Sequence, residues 1–329
     1  LNIEAVPRLF FYGGLVRPML FGAYRISSVL LDDAILPTYK GSTFRGAFGG
    51  CLKRAVCAVK KSNCSDCLLF SRCIYAQLFE QKDWRDQGAG RTVAPPHPYM
   101  IEPDNDQRTR LRASDEFNFN LLLFGEINAS LPYFVYAFEL MGEQGIGKKT
   151  GEHRARFSLR HVRNQGIELF DPQKGRLEAP PRQETLLLPP LETSKETASV
   201  SITLNTPLRL KSDNHLQDRV EFPLLVRTML RRVSSLFNAW GEGEPQLDYK
   251  GMIKRAEQIV VVDGHLYWHD WERYSNRQEQ AMSFGGMLGS ITYRGPLAEY
   301  LPLIRLCQRL HIGKQTTFGL GKFTAEFTK

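Results

Sequence analysis

The stretch "PLAEYLPLIRLCQRLHIGKQTTFGLGKFTAEF", Pro296–Phe327, decides the fold. In its first half Leu297, Tyr300, Leu301, Ile304, Cys307 and Leu310 recur at helical spacing, and Pro296 suits a first helical turn. Pro302 requires that helix to begin just before it or to kink there. In the second half Phe323, Ala325 and Phe327 alternate with polar residues, the period of a strand. Between them lie Gly313, Gly319 and Gly321, with Lys314 and Lys322 beside them. Dinucleotide and P-loop sites need the opposite order, a strand before the glycines and after them a helix whose N-terminus faces the phosphate. A glycine loop running from helix to strand is instead a turn, or a backbone platform against RNA.

Reading backward from this loop, "ASVSITLNTPLRL" is a strand and a turn. "FPLLVRTMLRRVSSLFNAW" is a helix with Leu224, Leu225, Met229, Val233 and Leu236 on one stripe, and "QIVVVDGHLYWHDW" and "MLGSITYRG" are strands. The order strand, helix, strand, strand, helix, strand is the ferredoxin-like pattern, an antiparallel sheet backed by two helices. The front of the chain repeats it: strand material in "RPMLFGAYRISSVLL", a helix in "STFRGAFGGCLKRAVCAV" capped by Ser42 or Thr43, a strand in "FNFNLLLFG" and a helix in "LPYFVYAFELMG". "GIGKKTGEHRARFSL" then mirrors the closing loop and strand, a weak internal repeat. The expected fold is α+β, two tandem ferredoxin-like (RRM-like) domains over residues 1–195 and 196–329. The first carries a cysteine-rich insertion at about 51–75 and a long irregular loop at about 84–112.

The 329 residues carry a net charge of +8 and a pI near 9.2, a modest basic excess that favours a polyanionic partner. No apolar run of membrane-spanning length and no secretory leader is present, so a cytoplasmic protein without a membrane partner is expected. Cys57, Cys64, Cys67 and Cys73 are spaced C-x6-C-x2-C-x5-C beside Lys60 and Lys61. Four clustered thiols point to a structural metal, zinc ahead of an iron–sulfur cluster, with Cys51 a spare and Cys307 a core residue. "GEQGIGKKT" resembles a P-loop but has Lys149 where a hydroxyl must bind magnesium, which argues against nucleotide hydrolysis. "HLYWHD", with His265 and His269, reads as a half-exposed strand.

"YKGSTFRGAFGG", Tyr39–Gly50, pairs a helix start with an arginine and with glycines that permit close approach. This motif, the cysteine knuckle followed by "YAQLFE", and the closing "GKQTTFGLGKF" together resemble the CRISPR-associated pre-crRNA-processing endoribonucleases of the repeat-associated (RAMP) superfamily. The resemblance implies paired ferredoxin-like domains and cleavage of CRISPR repeat RNA without metal, the 2′-hydroxyl attacking the adjacent phosphate to leave a 2′,3′-cyclic end. It also implies CRISPR repeat RNA and other CRISPR effector subunits as partners. Relatives commonly place a histidine near the first helix; here the first histidine is His97. The expected catalytic set is therefore Tyr39, Arg45, Tyr24 and His311. RNA-binding residues are expected at Lys40, Ser42, Lys148, Lys149, Arg154, Arg156, Gly313, Lys314, Gly319, Gly321 and Lys322, where glycines expose main-chain N–H groups and cations neutralise phosphate. The alternative is a non-cleaving RNA-binding subunit of the same superfamily.

Overall fold

The computed structural model describes residues 10–11, 14–15, 18–60, 63–81, 95–191, 197–212, 215–275 and 280–328. The front half is a six-stranded antiparallel sheet. It contains β1 (Met19–Leu30), β2 (Tyr99–Pro103), β3 (Glu116–Phe124), β4 (Phe157–Asn164), β5 (Ile167–Glu168) and β6 (Glu184–Leu186). The strand order is β5-β4-β1-β3-β2, and β6 pairs with β1. Helices α1 (Gly41–Val56) and α3 (Leu131–Gln144) back it, and a short α2 (Ile74–Phe79) follows the cysteine segment. The back half is a four-stranded antiparallel sheet, β7 (Thr197–Leu208), β8 (Val260–Ser275), β9 (Gln280–Pro296) and β10 (Phe323–Thr328), in the order β8-β9-β7-β10. It is backed by α4 (Phe222–Trp240), a short α5 (Tyr249–Arg255) and α6 (Leu301–Leu310). In both halves the last strand lies beside the first and the third strand lies between the first and the second, as the ferredoxin-like pattern requires.

Period-two burial explains how the halves join. In β1 the residues Tyr24, Ile26 and Leu30 point to α1 and α3, while Met19 and Phe21 on the other face enter the core of the back half. β2 repeats the split, with Tyr99 and Ile101 toward the helices and Met100 toward the back half. Its remaining residue on that face, Glu102, is buried at 6% exposure, and its alternation with Ile101 delivers a carboxylate to the domain junction. Arg232 of α4 crosses the same junction. Its guanidinium donates twice to the Leu310 carbonyl, at 3.0 Å each, at the C-terminal end of α6 where a cation is favoured. Burial lowers its pKa to about 10.

Two sequence expectations change, and the structure takes one of the two alternatives left at Pro302. The loop expected at about 84–112 contains β2, since "YMIEP" is a buried edge strand; residues 82–94 lie outside the described residues, as does Lys61. The α1 cap is Lys40 rather than Ser42 or Thr43, and no side chain bonds the first turn. The helix before the closing loop begins at Leu301 and carries Pro302 in its first turn, where its missing N–H costs nothing.

Candidate active site

The two motif stretches that lie some 270 positions apart in sequence meet at one place. The Tyr39 hydroxyl donates to the Phe318 carbonyl at 2.7 Å. A Cβ built on Gly41 would stand 1.9 Å from that same oxygen, so the first turn of α1 lies directly on the glycine loop and only glycine fits there. Arg45, one turn on, sets its guanidinium carbon 4.7 Å from the Phe79 ring and 5.5 Å from the Phe318 ring. Its Nε is buried with no hydrogen-bond partner among the described residues, and the same holds for Oε1 of Gln315 on the loop. Gly46, on the outer side of α1, has nothing within 4 Å of a built Cβ and leaves that face open.

A buried ion cluster holds the junction together. Glu102 accepts from His311 Nε2 at 2.9 Å, from Lys322 Nζ, and from Asn120 Nδ2 at 2.9 Å. His311 Nδ1 lies 3.1 Å from the Leu320 carbonyl. Each ring nitrogen thus has an acceptor oxygen beside it. Burial alone pushes the Glu102 carboxyl up, but the hydrogen bond and charge of His311, followed by those of Lys322, outweigh it and hold the pKa at about 2. One carboxylate of the front half therefore ties His311 and Lys322 of the back half.

This geometry reassigns several expected site residues. His311 is 1% exposed with both nitrogens engaged, so it clasps the domains and presents no nitrogen to a substrate. Tyr24 is fully buried and donates to Asn128 Oδ1 at 2.9 Å inside the front core. Burial, then the Glu102 charge, pushes the Tyr39 hydroxyl well above its ordinary range, which suits a positioning hydrogen bond and not a base. Lys40 is 3% exposed with its ammonium on the Asp106 carbonyl, and Lys322 is spent on Glu102.

The glycines also serve the protein's own packing. Gly319 (φ +82°) lies against the Ile101 carbonyl and Gly321 (φ +73°) against that of Ile312. Their N–H groups are donated to Thr316 and Pro207. A Cβ on Gly313 would approach the Arg209 carbonyl to 2.6 Å. These glycines shape the loop, and the amides of Gly319 and Gly321 are used within the protein.

Other expected residues stay at the surface. Lys314 is exposed; burial of its stem, then the charges of Arg231 and Lys211, lowers its pKa, which marks a three-cation cluster on the back half. Ser42 is half-buried in the first turn of α1. Lys148, Lys149 and Arg154 lie exposed on a hairpin of Ile146–Thr150 and His153–Ala155, and Arg154 also bonds the Gly147 carbonyl. Arg156 is paired with Asp32 at 2.9 Å.

His269, read from the sequence as part of a half-exposed strand, was given no role there. On β8 the side chains of Tyr267, His269 and Trp271 share one face, running from 58% exposed at Tyr267 to 9% at Trp271. The His269 ring stacks on Trp271 at 5.9 Å, and Trp271 packs on Tyr39 at 5.6 Å. A half-buried imidazole thus stands two ring contacts from the loop and α1. The signal was present as a period-two aromatic stripe ending in a tryptophan, but nothing in one sequence says that this stripe faces Tyr39.

Cys57, Cys64, Cys67 and Cys73 line one pocket with Lys53, Asn63, Phe70, Tyr75 and Ala76. All four thiols are free, and among the described residues no three ligating side chains already stand in coordinating geometry.

Comparison with known proteins follows the division into halves. The family model described as CRISPR-associated endoribonuclease Cas6 matches residues 202–323, and AF_1859_N, described as an N-terminal domain, matches residues 19–182. An uncharacterized protein of Archaeoglobus fulgidus is 24% identical over 295 residues, 88% of this chain and 92% of its own length. Part of a Cas6-RT-Cas1–Cas2 complex superposes with a TM-score of 0.55 at 13% identity, covering 94% of this chain; the chain spans 46% of that one. Thermus thermophilus Cas6 superposes with a TM-score of 0.51 at 14% identity, covering 95% of this chain and 100% of its own. At such identities the superpositions establish the fold. Over residues 202–323 the chain matches the model of the CRISPR-associated endoribonuclease Cas6, and over nearly its whole length it shares the fold of the solved Cas6 structures.

Proposed function

We propose that the chain binds CRISPR repeat RNA across the junction of α1 and the glycine loop and cuts it there without a metal ion in the reaction. The observation that carries this reading is the convergence of Gly41, Tyr39 and Arg45 on Phe318, which brings the two motifs of the family resemblance into one site. In the proposed reaction the 2′-oxygen bonds to phosphorus as the bond to the 5′-oxygen breaks. The nucleophile loses its proton to a base, the leaving oxygen gains one, and the product carries a 2′,3′-cyclic phosphate. Arg45 supplies the cation for the crowded phosphorane, since a planar guanidinium matches phosphate oxygens. His269 is the imidazole assigned to proton transfer. Lys314, Lys211 and Arg231, together with Lys148, Lys149 and Arg154, carry the RNA backbone on either side. Tyr267, 58% exposed on the His269 face, offers stacking surface to unpaired bases.

The burial of His311 and Tyr24 favours a second reading, a subunit that grips guide RNA for other CRISPR effector subunits without cutting it. Incubation of the chain with end-labelled repeat RNA in EDTA separates the two. Cyclic-phosphate products that vanish when the nucleotide before the cut is 2′-deoxy support the nuclease; intact RNA recovered in a stable complex supports the binding subunit.

A further inference from the structure

We propose that Cys57, Cys64, Cys67 and Cys73 bind one zinc ion as a structural four-thiolate centre that fixes α2, and with it Phe79, against Arg45. The backbone presents the thiols in two pairs. Cys57 closes α1, its N–H bonded to the Lys53 carbonyl at 3.0 Å, and Cys73 caps α2, its carbonyl accepting from Gln77 at 3.0 Å. Cys64 and Cys67 span one tight turn, the N–H of Cys67 donating to the Cys64 carbonyl at 3.1 Å, which is how a two-residue gap brings two sulfurs to one ion. All four line a single pocket, so coordination asks the thiols to turn inward together.

The segment has little else to hold it. Of its large apolar side chains only Phe70 is buried, at 5% exposure, while Leu68 and Leu69 stand 93% and 48% exposed. A span with so small a core needs a staple, and none of its thiols forms a disulfide. Four thiolates leave zinc a net charge of −2, and Lys53 in the pocket wall offsets part of it. Four protein sulfurs also saturate a tetrahedral ion and leave it no open position, so the centre serves structure.

The consequence for the site runs through α2. Phe79 ends that helix, contacts the Arg45 guanidinium at 4.7 Å, and fills the space a Cβ on Gly49 would need, 2.7 Å from its ring. Ala76 and Leu78 bury the far side of α2 in the front core, so loss of the ion loosens the helix from its Cys73 end and, through Phe79, the contact with Arg45.

The whole chain, purified without added metal or chelator, is analysed for zinc, iron and acid-labile sulfide, and then exchanged with cobalt(II). The expected result is about one zinc per chain, and in the cobalt form the visible bands of a tetrahedral thiolate site with sulfur-to-metal charge transfer. The double variant Cys64→Ser/Cys67→Ser loses the ion, while Cys51→Ser and Cys307→Ala keep it. Amide exchange over Phe70–Phe79 speeds up in metal-stripped wild-type protein. A chain with all four thiols reactive and less than about a tenth of a zinc overturns the proposal; so does iron with labile sulfide, or zinc retained by the double variant. None of these readouts involves RNA, so the outcome is independent of whether the chain cuts.

Discussion

Replacing Glu102 by Gln removes the negative charge that His311 and Lys322 of the back half share across the domain junction. The side chain of Glu102 is 8% exposed, so solvent screens the cluster little. With its pKa at about 2 against an ordinary 4.5, linkage assigns the carboxylate about 3 kcal/mol of stability. Stripping one partner from a buried ion pair costs about 3–5 kcal/mol in general, which agrees. The sign follows from a lowered pKa. The contribution is complete above about 4.5, the unfolded value, and is lost as pH falls toward about 2, the folded one. Urea unfolding of wild type and Glu102→Gln at pH 7 and at a series of lower pH values measures both quantities. The variant should be less stable by about 3 kcal/mol at pH 7, with the gap closing as acid protonates the wild-type carboxylate. A loss below about 1 kcal/mol, or two curves that run parallel through this range, refutes the clasp.

Gly41→Ala places a methyl within 1.9 Å of the Phe318 oxygen and should displace α1 from the loop, lowering both stability and RNA cleavage. Gly46→Ala meets nothing within 4 Å and should stabilise by about 0.5–1 kcal/mol in thermal unfolding with unchanged cleavage. Arg45→Ala should lower the single-turnover cleavage rate by about 100-fold while RNA affinity falls far less, since the guanidinium acts on the transition state. His269→Ala should flatten the pH–rate profile of cleavage without altering the urea midpoint; an unchanged profile removes it from the mechanism. Lys314→Ala and Arg231→Ala should each reduce the slope of log affinity against log salt by about 0.7 for single-stranded repeat RNA, measured by filter binding.

Legibility in the sequence followed periodicity. The back half was readable because α4 and α6 bury one stripe each, and because β7 and β10 alternate cleanly, Val200, Ile202 and Leu204 inward between Ser201 and Thr203. β2 was lost because "YMIEP" is buried on both faces at the domain junction, so its pattern has no polar face, and because prolines surround it. Glu102 was lost with it. The motif stretches pointed to the right place, but the roles within them did not follow from residue type. His311 and Lys322 look like free functional groups until a carboxylate 209 and 220 positions away is seen to hold both. The glycines at Gly319 and Gly321 serve close main-chain packing with left-handed backbone, which the sequence records as glycine without recording what approaches. His269 shows the converse, a residue with bland local context that the tertiary fold sets beside Trp271 and Tyr39.

The central claim is that repeat RNA lies across the α1 and glycine-loop junction. Photocrosslinking of 4-thiouridine-substituted repeat RNA to the intact chain, followed by peptide mapping, locates the RNA without requiring that it be cut. Crosslinks in Ser42–Gly50, Tyr267–Trp271 and Gly313–Gln315 are the predicted result. Crosslinks confined to the outer face of β4 and β5, with those three segments unmarked, contradict it.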